Sequence, residues 1–267
     1  MKIILSADDF GRSHEMNLAI DYAMRNRIVY STSLLMGSQF TEEAVEMAFE
    51  GGYIHNVHCH LNLASCTNVG NHFVPLNDEY QKSRFCKDGE FLDARYYKAD
   101  FYRYIDVTYK ELETQYLAFK ALTKNQANYL HIDFHRYLNL SLPVAFAYDR
   151  LIRNYHIQSA RFYGEHQRKV KESKKKRLLH AAMIFHWKHS KAHVTKSSRA
   201  RWFLEKLDQF ENEQMIELFV HPDYREGVLV DTTPPLSGGA ICPLEERIDL
   251  VKQSGNHDYI SWASLNL

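Results

Sequence analysis

Short apolar segments alternate with amphipathic segments along most of the chain. The segments that predict strands consist mainly of apolar or β-branched residues with polar residues on either side. They are Lys2–Ala7, Ile28–Met36, Tyr53–Leu63, Tyr129–Phe134, Ile157–Phe162, Met215–Val220 and Tyr259–Trp262. The segments that predict helices carry an apolar face with a period near 3.6 residues. These begin at Ser13 and Thr41 and continue with 97–122, Leu142–Tyr155 and Leu244–Val251.

This alternation of strands and helices favours a parallel α/β architecture. At 267 residues the natural candidate is an irregular, TIM-like (β/α) barrel that forms a single domain over residues 1–267. A doubly wound open sheet is the alternative. The chain has no G-x-G-x-x-G or G-K-[ST] motif that would indicate a nucleotide site in such a sheet.

One basic segment departs from the alternation. Arg168 to Lys206 is rich in lysine and arginine, most densely at Lys174–Arg177, and contains Trp187 and Trp202. We interpret it as a helical insertion at about residues 165–210 that forms a solvated face or caps a site. Nucleic-acid binding is the weaker alternative, because a basic footprint over the whole domain is missing.

Charge and cysteine content narrow the class of protein further. The 33 basic and 33 acidic residues balance, and no apolar run approaches the roughly 18 residues of a membrane span. We therefore expect neither a transmembrane helix nor a secretion signal. None of the four cysteines, at positions 59, 66, 86 and 242, forms a C-x-x-C pair, which indicates reduced thiols and a cytoplasmic location.

Polar and ionisable residues stand at the ends of five predicted strands. In α/β barrels, catalytic groups lie at the carboxyl ends of the strands. The residues in such positions are Asp8 and Asp9, His60, His131 with Asp133 and His135, Arg161, and His221. Such a series is difficult to explain by packing and predicts a site at one rim of the barrel.

The residue types at this rim suit a metal-dependent hydrolase. One carboxylate and two imidazoles form a common ligand set for a divalent ion. A second carboxylate is then available as a general base. Asp8 and Asp9 are adjacent and should point in different directions, which suits one base and one ligand. The alternative for this pair alone is a turn that caps the following helix.

Spacing leaves the choice of imidazole ligands open. His58 and His60 share one strand face, and His131, Asp133 and His135 share another. We prefer His60 and His135, which stand nearest the carboxyl ends of their strands. Asp133 would then orient an imidazole from behind.

Several of these motifs, taken in order, resemble the YdjC-like carbohydrate deacetylase family. They are Ala7-Asp8-Asp9-Phe10-Gly11, Asn17, Ser31-Thr32-Ser33, Cys59-His60-Leu61-Asn62-Leu63, His131-Ile132-Asp133-Phe134-His135 and His221-Pro222. The resemblance implies an irregular (β/α) barrel that removes N-acetyl groups from amino sugars, such as chito-oligosaccharides, with one divalent ion, magnesium or zinc.

Residue by residue, the resemblance implies that Asp9, His60 and His135 bind the metal. It implies that Asp8 is the base that activates water and that His221 protonates the departing amine. Arg161 would orient the base or the substrate.

The chain also departs from the family pattern. His58 stands where glycine is usual, and Arg136 and Tyr137 replace histidines. These changes put the identity of the sugar in doubt. The alternatives are a metal-dependent phosphoesterase or another amidase, and a non-catalytic barrel that binds a saccharide or a nucleic acid. The sequence leaves a monomer or a homodimer open.

Overall fold

The apolar segments of the sequence form the strands of one parallel sheet. The computed structural model describes residues 1–65, 72–92, 104–161, 193–195, 197–210, 213–233 and 242–265. Its strands are β1 (Lys2–Phe10), β2 (Ser31–Leu35), β3 (Val57–Leu61), β4 (Cys86–Lys87), β5 (Glu90–Phe91), β6 (Asn128–Phe134), β7 (Ser159–Arg161), β8 (His193–Thr195), β9 (Ser197–Arg199), β10 (Met215–Val220), β11 (Pro222–Arg225), β12 (Val228–Asp231), β13 (Cys242–Pro243) and β14 (Asp258–Ile260).

The order of the strands confirms the predicted barrel-like fold. The main sheet follows the order β8-β7-β6-β3-β2-β1-β10-β9, and each of these neighbours is parallel. Strands β8 and β9, at the two ends of this order, are separated along the chain by residue 196 alone. The sheet therefore curls into a nearly closed barrel. Strand β14 pairs with the first half of β1, and β2 pairs with its second half.

Helices cover the outside of this sheet. They are α1 (His14–Arg25), α2 (Thr41–Glu50), α3 (Asp78–Gln81), α4 (Ile105–Leu122), α5 (Leu142–Asn154), α6 (Ala200–Glu205) and α7 (Leu244–Gln253). Helix α1 begins at His14, next to the predicted start at Ser13, and Ser13 caps it: its Oγ accepts a hydrogen bond from the Met16 amide at 3.2 Å. Helix α4 begins at Ile105, and the start expected at Tyr97 lies outside the described residues.

Alternate residues of the strands serve two different layers. On β10, Ile216 and Leu218 belong to the apolar core between sheet and helices, whereas Glu217 faces the barrel interior, where it contacts Arg161. Branched apolar side chains usually fill the interior of a TIM barrel. Here the interior contains a hydrogen-bonded network of charged side chains, which are the kinds of group that catalysis or ion binding requires.

Two segments differ from the sequence prediction. The basic segment Arg168 to Lys206 is predicted to be helical, but residues 193–195 and 197–199 are strands of the main sheet. Residues 162–192, which include the densest basic run and Trp187, lie outside the described residues. The proline and glycine residues between positions 222 and 243 favour a loop, yet β11, β12 and β13 form a small antiparallel sheet there.

The chain end also differs from its prediction. The last strand ends at Ile260, and Trp262 instead begins a short 3-10 helix. The Trp262 ring stacks on His131 with centroids 3.5 Å apart, and its Nε1 donates to Glu217 at 3.1 Å. Trp262 therefore fills the barrel interior beneath the site. No described helix combines the length and the apolar character that a bilayer crossing requires.

Gly37, just beyond β2, occupies a position that tolerates no side chain. Its φ is +81°, and a Cβ there would lie 2.4 Å from the Val74 carbonyl oxygen. Gly52 also has a positive φ, +71°, but a Cβ there would meet no atom within 4 Å. The two glycines therefore separate the cost of backbone conformation from the cost of a clash.

We expect Gly52→Ala to lower the free energy of unfolding by about 1–2 kcal/mol, the cost of a left-handed alanine. Gly37→Ala should lower the free energy of unfolding by about 1–3 kcal/mol more than Gly52→Ala does, because the methyl group displaces the segment that carries Val74. Urea unfolding of both variants measures the difference. Equal losses would show that the segment around Val74 yields without cost.

Candidate active site and metal centre

A pocket of about 300 Å³ opens at the carboxyl ends of the barrel strands. Its walls combine acids, imidazoles, guanidinium groups and two aromatic rings. They are formed by Asp8, Asp9, Arg12, His60, Phe134, His135, Arg136, Arg161, Arg199, Phe219, His221, Thr232 and Thr233. The structure therefore brings together all six predicted residues that were expected to contact metal or substrate, and Asp133 lies directly behind His60.

A β-bulge brings two consecutive aspartates to the same pocket. The pairing of β1 with β2 advances three residues on β1, from Ala7 to Phe10, but only two on β2. The extra residue lies at the aspartate pair, and Asp9 has a left-handed φ of 74°. Strict alternation would turn adjacent side chains to opposite faces, so the expectation of different directions is only partly correct. Both carboxylates line the pocket, and they face different partners.

Asp9 meets two imidazoles. Its Oδ1 lies 2.9 Å from His135 Nδ1 and 3.3 Å from His60 Nε2, yet it takes part in no hydrogen bond of acceptable geometry. Its Oδ2 accepts from Arg12 at 2.8 Å. Burial alone would raise the pKa of Asp9, but the imidazoles and Arg12 outweigh it and hold the pKa well below its usual value. These three side chains are buried and close enough to hold one ion together.

Asp133 supports one of these imidazoles from behind. Its Oδ1 lies 2.5 Å from His60 Nδ1, and its Oδ2 lies 3.3 Å from His58 Nε2. The Asp133 contact fixes the ring of His60 and directs Nε2 towards Asp9. Carboxylate–imidazole pairs of this kind orient histidine ligands in metal sites.

Arg161 joins carboxylates from three strands. It forms a bidentate pair with Asp8, at 2.5 and 2.9 Å, and another with Glu217, at 2.7 and 2.8 Å. Its Nη2 also lies 3.0 Å from Asp133 Oδ2, and the guanidinium sits over the ring of Phe219. Asp8 accepts a further hydrogen bond from Ser33 at 3.3 Å. Because Arg161 is buried, these contacts hold Asp8 in one orientation.

His221 lies across the pocket, at the end of β10. Burial lowers its pKa, although the negative charges of Asp9, Asp8 and Asp231 oppose this effect. The neutral imidazole is therefore the resting form, and its Nδ1 lies 3.2 Å from the Thr233 hydroxyl.

A second buried group lies deeper in the barrel. His58, His131 and Glu217 also place one potential ligand atom each within 4.8 Å of one another. The carboxylate of Glu217, however, already accepts hydrogen bonds from Arg161 and Trp262. A cation there would have to compete with a buried guanidinium, so this group is the weaker candidate.

Four residues of the site carried no signal that the sequence analysis used. Glu217 lies inside the predicted strand Met215–Val220, where a charged residue among apolar neighbours indicates a buried ion pair. Asp231 and Thr233 fell in a segment expected to be a loop, and Trp262 was assigned to a strand. Glu217 and Trp262 contact segments far away along the chain, whereas Asp231 and Thr233 contact His221 across a hairpin, and periodicity reveals neither kind of contact.

The fold and the pocket define an α/β-barrel protein with a buried histidine–aspartate group suited to a metal ion. The family model described as YdjC-like protein matches residues 2–240. The chain therefore belongs to the YdjC-like family.

Curated relatives match shorter stretches. Carbohydrate deacetylase of Vibrio campbellii (strain ATCC BAA-1116) is 29% identical over 103 residues, which is 35% of this chain and 41% of that protein. Carbohydrate deacetylase of Clostridium beijerinckii is 42% identical over 65 residues, 24% and 26% of the two chains. Carbohydrate deacetylase 2 of Listeria innocua is 26% identical over 144 residues, 54% and 53% of the two chains. The matches thus span about half or less of these relatives.

A solved structure shows the same fold. It is a crystal structure from Enterococcus faecalis V583 whose description provisionally assigns the protein to cellobiose-phosphate cleavage. The TM-score is 0.65 at 19% identity, and the alignment covers 84% of this chain and 82% of the other. At this identity the likeness supports the barrel architecture alone.

The contacts of Arg161 predict a large loss of stability when its charge is removed. Arg161→Met would leave buried carboxylates without a cation, and we expect the free energy of unfolding to fall by about 3–5 kcal/mol. Arg150→Met removes an exposed ion pair with Asp106 and should cost less than about 1 kcal/mol. Chemical denaturation of both variants provides the comparison. Similar losses would contradict the central position of Arg161.

Proposed function

We propose that this chain hydrolyses the N-acetyl group of an amino sugar and uses a divalent metal ion held by Asp9, His60 and His135. One observation carries the proposal: a buried carboxylate oxygen faces two imidazoles, inside a pocket that also contains a second carboxylate and a third imidazole. Membership of the YdjC-like family and the names of the curated relatives support the same reaction class.

The fit to a cation follows from the contacts of Asp9. Its Oδ1 has no hydrogen-bond donor, although buried carboxylate oxygens are normally paired. When Asp133 holds the proton of a neutral His60 on Nδ1, a lone pair of Nε2 faces the Asp9 oxygen across 3.3 Å. Positive charge has to stand between these two electron pairs. Without a metal it is the second proton of His60, whose pKa is raised to about 10, and a bound cation replaces that proton.

The donor set also favours some ions over others. Two imidazoles with one carboxylate are typical of zinc and related transition metals. Magnesium prefers oxygen ligands and usually retains several waters. Zinc is therefore the first ion to test and magnesium the second. When bound, such an ion would polarise the acetyl carbonyl and lower the pKa of a water molecule.

Asp8 is the proposed general base. Its carboxylate accepts two charge-assisted hydrogen bonds from Arg161, which stabilise a negative charge there. The same contact and the Ser33 hydroxyl fix its orientation beside the metal ligands. Asp8 can thus take a proton from the attacking water.

His221 is the proposed general acid. Burial lowers its pKa, so its imidazolium gives up a proton readily once formed. It lines the same pocket as Asp8, from the neighbouring strand. From this position the neutral ring can take up the proton that Asp8 removes from the attacking water and pass it to the amine nitrogen as acetate leaves.

The pocket limits the substrate as well. A volume of about 300 Å³ is at the small end of the range for ligand pockets. We therefore propose that a single N-acetylated sugar residue, free or at the end of an oligosaccharide such as a chito-oligosaccharide, enters beside the metal ligands.

Metal binding tests the ligand assignment without any substrate. Metal-stripped protein should bind one zinc ion, and His135→Ala should weaken this binding at least 10-fold. His131→Gln alters the deeper group and should leave the affinity within about 3-fold. Titration calorimetry, with circular dichroism to confirm folding, measures both variants. Loss of the ion only in His131→Gln would move the site to the deeper group.

Acetate release tests the reaction. Metal-stripped protein supplied with zinc, magnesium, manganese or cobalt should release acetate from N-acetylglucosamine oligomers. Asp8→Asn should lower kcat by about 10²–10⁴-fold, the usual contribution of a general base, while it still binds the ion. Asp106→Asn, on the exposed face of α4, is the matched control and should keep its activity.

Two results would contradict the proposal. Wild-type rates in Asp8→Asn would remove Asp8 from the reaction. Absence of acetate with every ion and oligomer, despite metal binding, would exclude these N-acetyl sugars, and phosphate esters and other amides would be tested next.

A further inference from the structure

The hairpin formed by β11 and β12 returns the chain to His221. At the end of β12, the backbone amide and the hydroxyl of Thr232 both donate to the His221 carbonyl, at 3.0 and 3.1 Å. The His221 amide donates to Asp231 Oδ1 at 3.0 Å. Both backbone polar groups of His221 are thus held by the last residue of β12 and the residue that follows it.

The imidazole of His221 is held by the same turn. Thr233 Oγ1 lies 2.7 Å from Asp231 Oδ1 and 3.2 Å from His221 Nδ1. The Thr233 backbone amide also donates to Asp231 Oδ1, at 3.1 Å. Asp231 is fully buried and Thr233 nearly so, at 2% exposure.

The directions of these hydrogen bonds follow from counting protons. A threonine hydroxyl has one proton. Asp231 Oδ1 already accepts hydrogen bonds from two backbone amides, so it acts as an acceptor and the proton of Thr233 points to it. The hydroxyl oxygen then presents a lone pair to His221, and a hydrogen bond forms there only if Nδ1 carries a proton.

We propose that Thr233, itself oriented by Asp231, is a positioning residue that holds neutral His221 in the Nδ1–H tautomer. Nε2 then carries the lone pair, and it is the ring nitrogen that binds and releases protons in the pocket. The tautomer assignment rests on the contacts of His221 alone, whereas its effect on rate rests on the proposed deacetylation.

The tautomer decides whether His221 can cycle a proton. The tautomer of a neutral histidine is set by the hydrogen bond that one ring nitrogen makes. Without the Thr233 acceptor, Nε2–H is free to form, and Nε2 then has no lone pair to collect the next proton. Each turnover would then begin with the proton on Nε2 and the lone pair on Nδ1.

The test is a direct measurement of the tautomer. Protein labelled with ¹⁵N at histidine and loaded with zinc is studied by long-range ¹H–¹⁵N correlation near pH 8, and His221→Gln identifies the His221 signals. The expected wild-type spectrum shows a protonated Nδ1 and an unprotonated Nε2. A protonated Nε2 in the wild-type protein would overturn the proposal before any further variant is made.

Three variants separate the hydroxyl from general disruption. Thr233→Val removes the acceptor at nearly constant volume, and His221 should shift to Nε2–H. Thr233→Ser restores the hydroxyl and should restore Nδ1–H. Thr232→Val, the neighbouring control, removes a hydroxyl that donates to the His221 backbone carbonyl and should keep Nδ1–H. An unchanged tautomer in folded Thr233→Val would contradict the proposal.

Kinetics supply the second readout. Thr233→Val should lower kcat by about 10–100-fold, as expected for a supporting contact, with KM changed less than about 2-fold. Thr233→Ser should recover most of this loss. If no variant and no wild-type protein releases acetate while the tautomers behave as expected, the proposed reaction fails and the positioning of His221 by Thr233 stands.

Discussion

One buried guanidinium, Arg161, is the group on which the interior of this barrel depends. It pairs with Asp8, Asp133 and Glu217, which come from three different strands. Carboxylates this close and this deeply buried would otherwise repel each other or become protonated. The planar fork of donors on arginine can hold two of them bidentately, which lysine cannot do. Arg161 therefore positions both the proposed base, Asp8, and Asp133, which supports the metal ligand His60.

Two imidazoles of the site show how the protein sets different pKa values with similar components. Burial lowers the pKa of both His60 and His221. His60 contacts the carboxylate of Asp133 directly, and this charge contributes to a pKa of about 10 in the absence of a cation. For His221, the hydroxyl of Thr233 stands between the ring and Asp231, and the pKa stays below its usual value. A carboxylate in direct contact with an imidazole makes the ring a stronger ligand for a cation. A hydroxyl between the carboxylate and the ring instead fixes the tautomer and leaves the ring neutral.

The pattern of the sequence predicted the barrel and the residues at its rim, because both depend on local periodicity and on the strand ends of parallel sheets. It did not predict the contacts of Glu217 and Trp262, because their partners lie far away along the chain. It also missed the short strands at residues 193–199, since three residues carry too little periodicity to be distinguished from a basic helix. The antiparallel hairpin that carries Thr233 was hidden for a related reason, because its proline and glycine content is typical of a loop.

The adjacent aspartates show why a simple rule of alternation is insufficient at a functional site. A regular strand would give one of them to the pocket and the other to the helical layer. The bulge in β1 gives both to the pocket, and it does so by placing Asp9 at a φ of 74°. Aspartate tolerates this left-handed conformation better than most residues. The same side chain also offers the oxygen that a metal requires, so the backbone and the chemistry select the same residue. Arg12 contacts the Asp9 carboxylate on one side, and the two imidazoles contact it on the other. These contacts stabilise the left-handed backbone conformation, which the strand alone would not favour.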